Sequence, residues 1–273
     1  MRELIVKFKG NEADAHKIDA FEGSNSLVGI SAAFQRIGHF AATGIIRKKS
    51  PYRSSIRFYL DVPRQRSLEF PYHLTFLDGA TFISSNLGTG ILSSAIWDLI
   101  KVSFAAAIGK HHKPTTPFTK YLESSAGGNI EALIDAIEPS IRQAHTAVNS
   151  SAKIIYIITG NDNVTLNTFD ANSKDYVQTT IRGQLNTIDV SVGALNANQR
   201  TGRVFYAGWG KTVPFNVAPK APSRTIEALS WGLDAYVGTS GGMVRIKYEP
   251  LRAADDRVKR LVIYEAESLK DAV

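Results

Sequence analysis

Thr180-Ile-Arg-Gly-Gln-Leu-Asn-Thr-Ile-Asp-Val190, Gly202-Arg-Val-Phe-Tyr206 and Thr212-Val-Pro-Phe-Asn-Val217 are three short runs rich in β-branched and aromatic residues, the composition of strands. A helix is predicted from about Arg224 to Val237. Met243-Val-Arg-Ile-Lys-Tyr248 and Val258-Lys-Arg-Leu-Val-Ile-Tyr264 then supply two more strands. The stretch from Val177 to Glu267 therefore reads strand, strand, strand, helix, strand, strand. That is the order of a small five-stranded barrel with one helix between its third and fourth strands.

Upstream of it, Lys153-Ile-Ile-Tyr-Ile-Ile-Thr159 reads as a short buried strand, and the polar residues from Gly160 to Asp175 suggest no regular element. Asn149-Ser-Ser-Ala152 is the expected boundary, giving an α/β domain over 1–150 and a barrel domain over 151–273. In the first domain Leu4, Val6 and Phe8 alternate with Lys7 and Lys9, a half-buried strand with no signal-peptide character. A helix is predicted from about Ser24 to Thr43, with Leu27, Ile30, Phe34, Ile37 and Phe40 on one stripe, Ser24 or Ser26 as N-cap and Gly44 as its end. Strands follow at 55–62 and 67–76. Pro71 predicts that the second is an edge or carries a bulge. A last helix, about Asn129 to Asn149, contains Pro139, which predicts a kink or a split. The fold class is α+β: a sandwich-like α/β domain with a mostly antiparallel sheet and buried helices, then the barrel.

Gly90 to Gly109 is a helix apolar on nearly every side, with Asp98 and Lys101 placed for an ion pair. Each charge would cost roughly 2.5–3.5 kcal/mol at the centre of a bilayer. The reading is therefore a buried helix or a contact between copies through Ile96, Trp97, Ile100 and Phe104, and not a membrane span.

The 273 residues carry 44% apolar and 21% charged side chains, a net charge of +7 and no cysteine. The charge favours an anionic partner. The missing cysteine excludes disulfides, thiol nucleophiles and Cys-ligated metals, and suits a cytoplasmic location. Two stretches concentrate the positive charge. Arg47, Lys48, Lys49, Arg53, Arg57, Arg64 and Arg66 face one acid, Asp61, with Tyr52, Phe58 and Tyr59 interleaved. Arg200, Arg203, Lys211, Lys220 and Arg224 have no Asp or Glu between them and are accompanied by Tyr206 and Trp209. Cations neutralise phosphates and exposed rings stack on bases, so both stretches are candidate nucleic-acid contacts. The bland alternatives are a solvated basic face, and for Trp209 a cap on the barrel.

Asp14, His16 and Asp19 are the candidates for acid–base or metal chemistry. No nucleophile elbow, Walker A or His-Glu-x-x-His sequence supports them. Lys110-His-His-Lys113 reads as positive charge complementing a helix C-terminus, and no metal or other cofactor is expected. Gly238-Thr-Ser-Gly-Gly242 follows a helix, the wrong order for a phosphate loop, and reads as a turn.

The order of barrel elements resembles an OB-fold, which implies binding of oligonucleotides or saccharides. Gly10-Asn-Glu-Ala-Asp-Ala-His-Lys-Ile-Asp-Ala20, Ser26-Leu-Val-Gly-Ile-Ser31, Pro63-Arg-Gln-Arg-Ser-Leu-Glu69, Ile96-Trp-Asp-Leu-Ile-Lys101 and Val258-Lys-Arg-Leu-Val-Ile-Tyr264 give the chain its likeness to a family. They resemble a bacterial domain-of-unknown-function family that pairs an α/β domain with a C-terminal five-stranded barrel. That resemblance implies no activity. The expected function is that of a non-enzymatic, homo-oligomeric nucleic-acid-binding protein. A bacterial anti-phage immunity or regulatory component fits this, with a protein of the same operon as a further partner. The alternatives are an effector hydrolase or nuclease, and a toxin-like scaffold that self-assembles.

Overall fold

Strand β1 (Glu3–Lys9) buries Leu4, Val6 and Phe8 as its alternation requires, and Ile5 on the opposite face is buried as well. The computed structural model describes residues 3–49, 56–63, 68–77, 82, 92–124, 129–160, 163–209, 211–237, 242–253, 256 and 258–269. The chain divides into two compact units. The first takes Met1–Tyr121 and Leu133–Gln178, and the second Leu122–Ala132 and Thr179–Val273.

In the first unit β1 lies at the middle of an antiparallel five-stranded sheet. Its companions are β2 (Ile56–Leu60), β3 (Glu69–Phe76), β4 (Ile154–Thr159) and β5 (Thr165–Phe169), in the order β2-β3-β1-β4-β5. Because β4 pairs directly with β1, the boundary expected at 150/151 moves to Gln178. The polar segment after Gly160 is regular after all. It holds β5, recruited by pairing with β4, and a short helix over Ala171–Gln178. Pro71 is also corrected: β3 is an inner strand, and β2 is the edge. Pro71 lies just past the last paired residue of β2, Leu60, and its carbonyl accepts from the Asp61 N–H at 2.9 Å.

Helix α1 (Ala20–Thr43) begins earlier than its serines suggest. Asp19 is the N-cap, accepting from the Phe21 and Glu22 N–H groups at 3.0 and 2.9 Å. Ser26 lies inside the helix, buried, and accepts from the Ala147 N–H. Gly44 ends the helix at φ 70°, with its N–H on the Phe40 carbonyl. Phe34 is the centre of the core: it stacks on Phe58 at 5.1 Å and on Phe104 at 5.6 Å, and meets Tyr72 edge-on. Phe104 belongs to α2 (Leu92–Ala107). After α2 come α3 (Pro117–Ser124) and α4 (Asn129–Ala144), which runs unbroken through Pro139. The helix at Ala171–Gln178 is α5.

The second unit contains a closed barrel. A two-residue strand β6 (Ile181–Arg182) precedes β7 (Asn186–Asn196), β8 (Thr201–Tyr206), β9 (Lys211–Val217), α6 (Ser223–Val237), β10 (Val244–Arg252) and β11 (Val258–Ser268). With β6 counted, the helix follows the fourth strand of the unit and not the third. The antiparallel pairs are β7–β8, β8–β9, β7–β10, β10–β11 and the short β6–β10, and β9 pairs in parallel with β11 to close the circle. Val190, Val204, Phe215, Ile246 and Ile263 fill the interior with Leu229 of α6. Closure satisfies the strand edges that an open sheet would leave bare.

Candidate nucleic-acid interface

On β8, Val204 points into the core, and a Cβ at Gly202 would lie 2.6 Å from the Phe215 ring. The alternation turns Arg203 and Phe205 outward. Phe205 is 42% exposed and stands opposite Thr212 on β9 and Ser191 on β7. An open aromatic ring thus stands between two uncharged neighbours, Ser191 and Thr212, on the face that also carries Arg203.

The other side of the barrel neutralises itself. Arg245 of β10 donates from Nε and Nη2 to both carboxylate oxygens of Asp189 on β7, at 2.8 and 2.9 Å. The Arg245 hydrogen bonds hold the Asp189 carboxyl below the ordinary range. Lys247 stands 3.9 Å from Glu265, and Glu249 accepts from the Tyr264 hydroxyl at 2.8 Å with Arg182 at 3.3 Å. The barrel surface is therefore asymmetric, with paired charges over β7, β10 and β11 and an unpaired ring on β8.

The second basic stretch behaves differently from its sequence reading. Arg200 occupies the left-handed region at φ 56°, and its Nη2 donates to the carbonyls of Ala218 and Ala221. It ties down the turn after β7 instead of facing solvent. Arg203 is ion-paired: Nε is 2.9 Å from Glu131 Oε1, and Nη2 donates to the Glu123 carbonyl at 2.5 Å. Beside this pair, Asn196 donates to Asn129 at 3.3 Å. Glu131 is 8% exposed, and its Oε2 is buried without a hydrogen-bond partner. Burial pushes its carboxyl up; Arg203 opposes this without cancelling it. Lys220 and Arg224 are exposed. The Trp209 and Lys211 side chains lie outside the described residues, as does the stretch 238–241.

In the first unit, Arg57 and Tyr59 are exposed on the edge strand β2, whereas Phe58 is core. Lys48 pairs with Asp135 at 2.9 Å, and its carbonyl accepts from Arg36. Arg47 and Lys49 are exposed. Arg53, Arg64 and Arg66 lie outside the described residues.

The acid–base candidates have local structural work. Asp14 accepts from the Gly10 N–H at 2.8 Å within the 3-10 turn Asn11–Ala15. His16 closes that turn at φ 57°, its N–H on the Ala13 carbonyl, and Asp19 caps α1. The Asp14 and Asp19 carboxylates thus each accept from backbone N–H groups of their own turn or helix. Among the described residues no cluster of His, Asp and Glu could hold a metal ion. The pair His111-His112 follows the C-terminus of α2. Burial, then the charges of Lys101, His111 and Lys110, make His112 harder to protonate.

Of the two covers expected for this helix, a core or another copy, the core takes three of the four named residues. Ile96, Ile100 and Phe104 are fully buried in their own unit, and Phe104 also stacks on Phe169 at 5.8 Å; only Trp97 is half-exposed. Asp98 does not pair with Lys101. It accepts from the N–H and hydroxyl of both Thr115 and Thr116, all between 2.8 and 2.9 Å. Burial alone would raise its carboxyl, but these donors outweigh burial and hold it low. No helix among the described residues is long and apolar enough to cross a membrane.

Phe205 was within reach of the sequence, because the alternation around Val204 turns it outward. The role of Glu131 was not, because its partner lies in a distant strand. Comparison with family models matches residues 4–178 to a "Domain of unknown function (DUF7946)" and residues 184–267 to a "Family of unknown function (DUF7947)". The first match ends where the first unit ends. Neither the curated proteins nor the solved structures contain a match.

Proposed function

The chain belongs to the DUF7946 family, and from its own residues we propose a nucleic-acid-binding protein whose barrel presents the contact face. One observation carries the reading: Phe205 stands open on the second long strand of the barrel, on the side where no carboxylate faces it across the sheet. An exposed ring on a rigid strand is a stacking platform for an unpaired base.

The connectivity supports the same choice. The circle β7-β8-β9-β11-β10, with its third and fifth strands parallel, resembles the OB-fold. In that fold the second and third strands form the oligonucleotide-binding face. Here those strands are β8 and β9. In the run from Arg200 to Arg224, Arg200 and Arg203 are already engaged, and Lys220 and Arg224 are its exposed cations. Single-stranded nucleic acid is the favoured ligand because stacking on Phe205 needs a base free of its partner. Self-association is not required for this face.

The test is fluorescence anisotropy with labelled single-stranded DNA, single-stranded RNA and duplex probes at low salt. Single strands should bind best, with affinity falling steeply as salt rises. Absence of binding to every probe would remove the proposal.

A further inference from the structure

Arg203 and Phe205 lie two residues apart on one face of β8, about 7 Å along a strand. A single strand whose base stacks on Phe205 would bring its backbone within reach of the Arg203 guanidinium. That guanidinium is already occupied. Glu131 sets Oε1 2.9 Å from Nε, where a phosphate oxygen would otherwise sit, and the Glu123 carbonyl takes Nη2. The Glu131 contact is an ion pair off the N–H direction, and Nε is buried without a hydrogen-bond partner. Carboxylate and phosphate address the same planar fork of donors, so they compete for it.

The resident pair is poorly satisfied. Glu131 is more than nine-tenths buried and leaves Oε2 without a hydrogen-bond partner. An ion pair buried with an orphan oxygen loses much of its Coulombic gain to desolvation. Burial also makes the carboxyl easier to protonate than an ordinary glutamate. A fully satisfied clamp would pair both oxygens, as Asp189 does with Arg245. The two arginines on one barrel thus differ in kind: Arg245 meets both oxygens of a half-exposed Asp189, whereas Arg203 meets one oxygen of a buried Glu131 and the Glu123 carbonyl.

We propose that Glu131 is a built-in competitor for the barrel's oligonucleotide site, holding Arg203 in the place a backbone phosphate would take and so weakening binding until it is displaced. This rests on the reading of the β8 face as a nucleic-acid contact. It assigns Arg203 a phosphate contact that is masked at rest, and Glu131 the role of gatekeeper.

The experiment compares the full chain with Glu131→Gln, Arg203→Met and the double variant, using labelled oligo(dT) across a salt series. Glu131→Gln keeps the shape and removes the charge. It should tighten binding about tenfold and steepen the salt slope by about 0.7, the signature of one added phosphate contact on a single strand. The double variant should bind like Arg203→Met alone. Equal affinity of wild type and Glu131→Gln, where both bind, overturns the gatekeeper and leaves the nucleic-acid reading standing. Failure of both to bind overturns the two together. Hydrogen exchange on the unmodified protein gives a reading independent of any variant's folding. Saturating oligo(dT) should lower the protection of the amides at 130–132, and unchanged protection in a bound complex overturns the displacement.

Discussion

The Asp98 carboxylate accepts both the backbone N–H and the hydroxyl of Thr116, at 2.8 and 2.9 Å, from inside a helix that is apolar on nearly every side. Thr116 in turn starts α3, its hydroxyl 3.4 Å from the Thr119 N–H. A single buried acid therefore fixes the connection between two helices. Asp98→Ala strands four donors, two of them buried beside the carboxylate, and should cost at least about 3 kcal/mol of stability. Urea unfolding at neutral pH measures it. A loss below about 1 kcal/mol would show that water replaces the acid.

Helix packing gives the second prediction. A Cβ built at Gly29 would lie 2.4 Å from the Ala144 nitrogen and 2.5 Å from the Ser140 carbonyl. These are backbone atoms of α4, which cannot rotate away. Gly29→Ala gains up to about 1 kcal/mol of helix propensity. The overlap should outweigh this and leave a net loss of about 1–2 kcal/mol, in the range of overpacked cores. A higher melting temperature for Gly29→Ala would contradict the close approach.

These two sites mark where the sequence is legible and where it is not. The second to fifth barrel strands and α6 could be read because each writes its apolar period locally. The run read as one strand over 180–190 instead divides into β6 and a β7 that continues to Asn196, and the parallel pairing of β9 with β11 appears only in the structure. The start of α1 was misread because serines near a helix compete as caps, and only the structure shows that Asp19 receives the two N–H groups. α2 is apolar on nearly every side, so its sequence cannot distinguish a second copy from Phe34 as its cover; Phe34 is what lies against Phe104. Arg203 is a cation in any sequence reading, and only its distant partner Glu131 removes it from solvent.

His145 predicts a pH dependence. It is fully buried, its Nδ1–H donates to the Ile141 carbonyl at 2.7 Å, and Nε2 lies 2.9 Å from the Ser173 hydroxyl. Burial lowers its pKa to about 4, although the Ile141 hydrogen bond and Asp170 pull the other way. The unfolded chain, titrating near 6.5, binds this proton first. The contribution of neutral His145 is therefore full above pH 6.5 and is lost as pH falls from 6.5 towards 4. The slope is about 1.4 kcal/mol per pH unit, roughly 3 kcal/mol in all. Replacing it with Gln should flatten the stability–pH curve in that window by about one proton. Parallel curves for the two proteins would contradict the burial argument.

The last prediction separates binding from folding within one basic stretch. Phe205 makes an open surface, so Phe205→Ala should change stability little. It should weaken single-strand binding by about 1–3 kcal/mol, the range for loss of one stacked base. Arg200 is the reverse case. Its guanidinium is committed to the Ala218 and Ala221 carbonyls, and its own carbonyl accepts from the Val217 N–H at 2.8 Å. Arg200→Met should lose about 1–3 kcal/mol of stability and leave the salt slope of the folded protein unchanged, because this cation has no phosphate to release counterions for. Anisotropy titrations below the melting transition, paired with urea unfolding, read both quantities on each variant. A salt slope that falls by about 0.7 in Arg200→Met would mean that Arg200 abandons the two carbonyls for a phosphate when nucleic acid binds. The turn after β7 would then belong to the contact face along with Phe205.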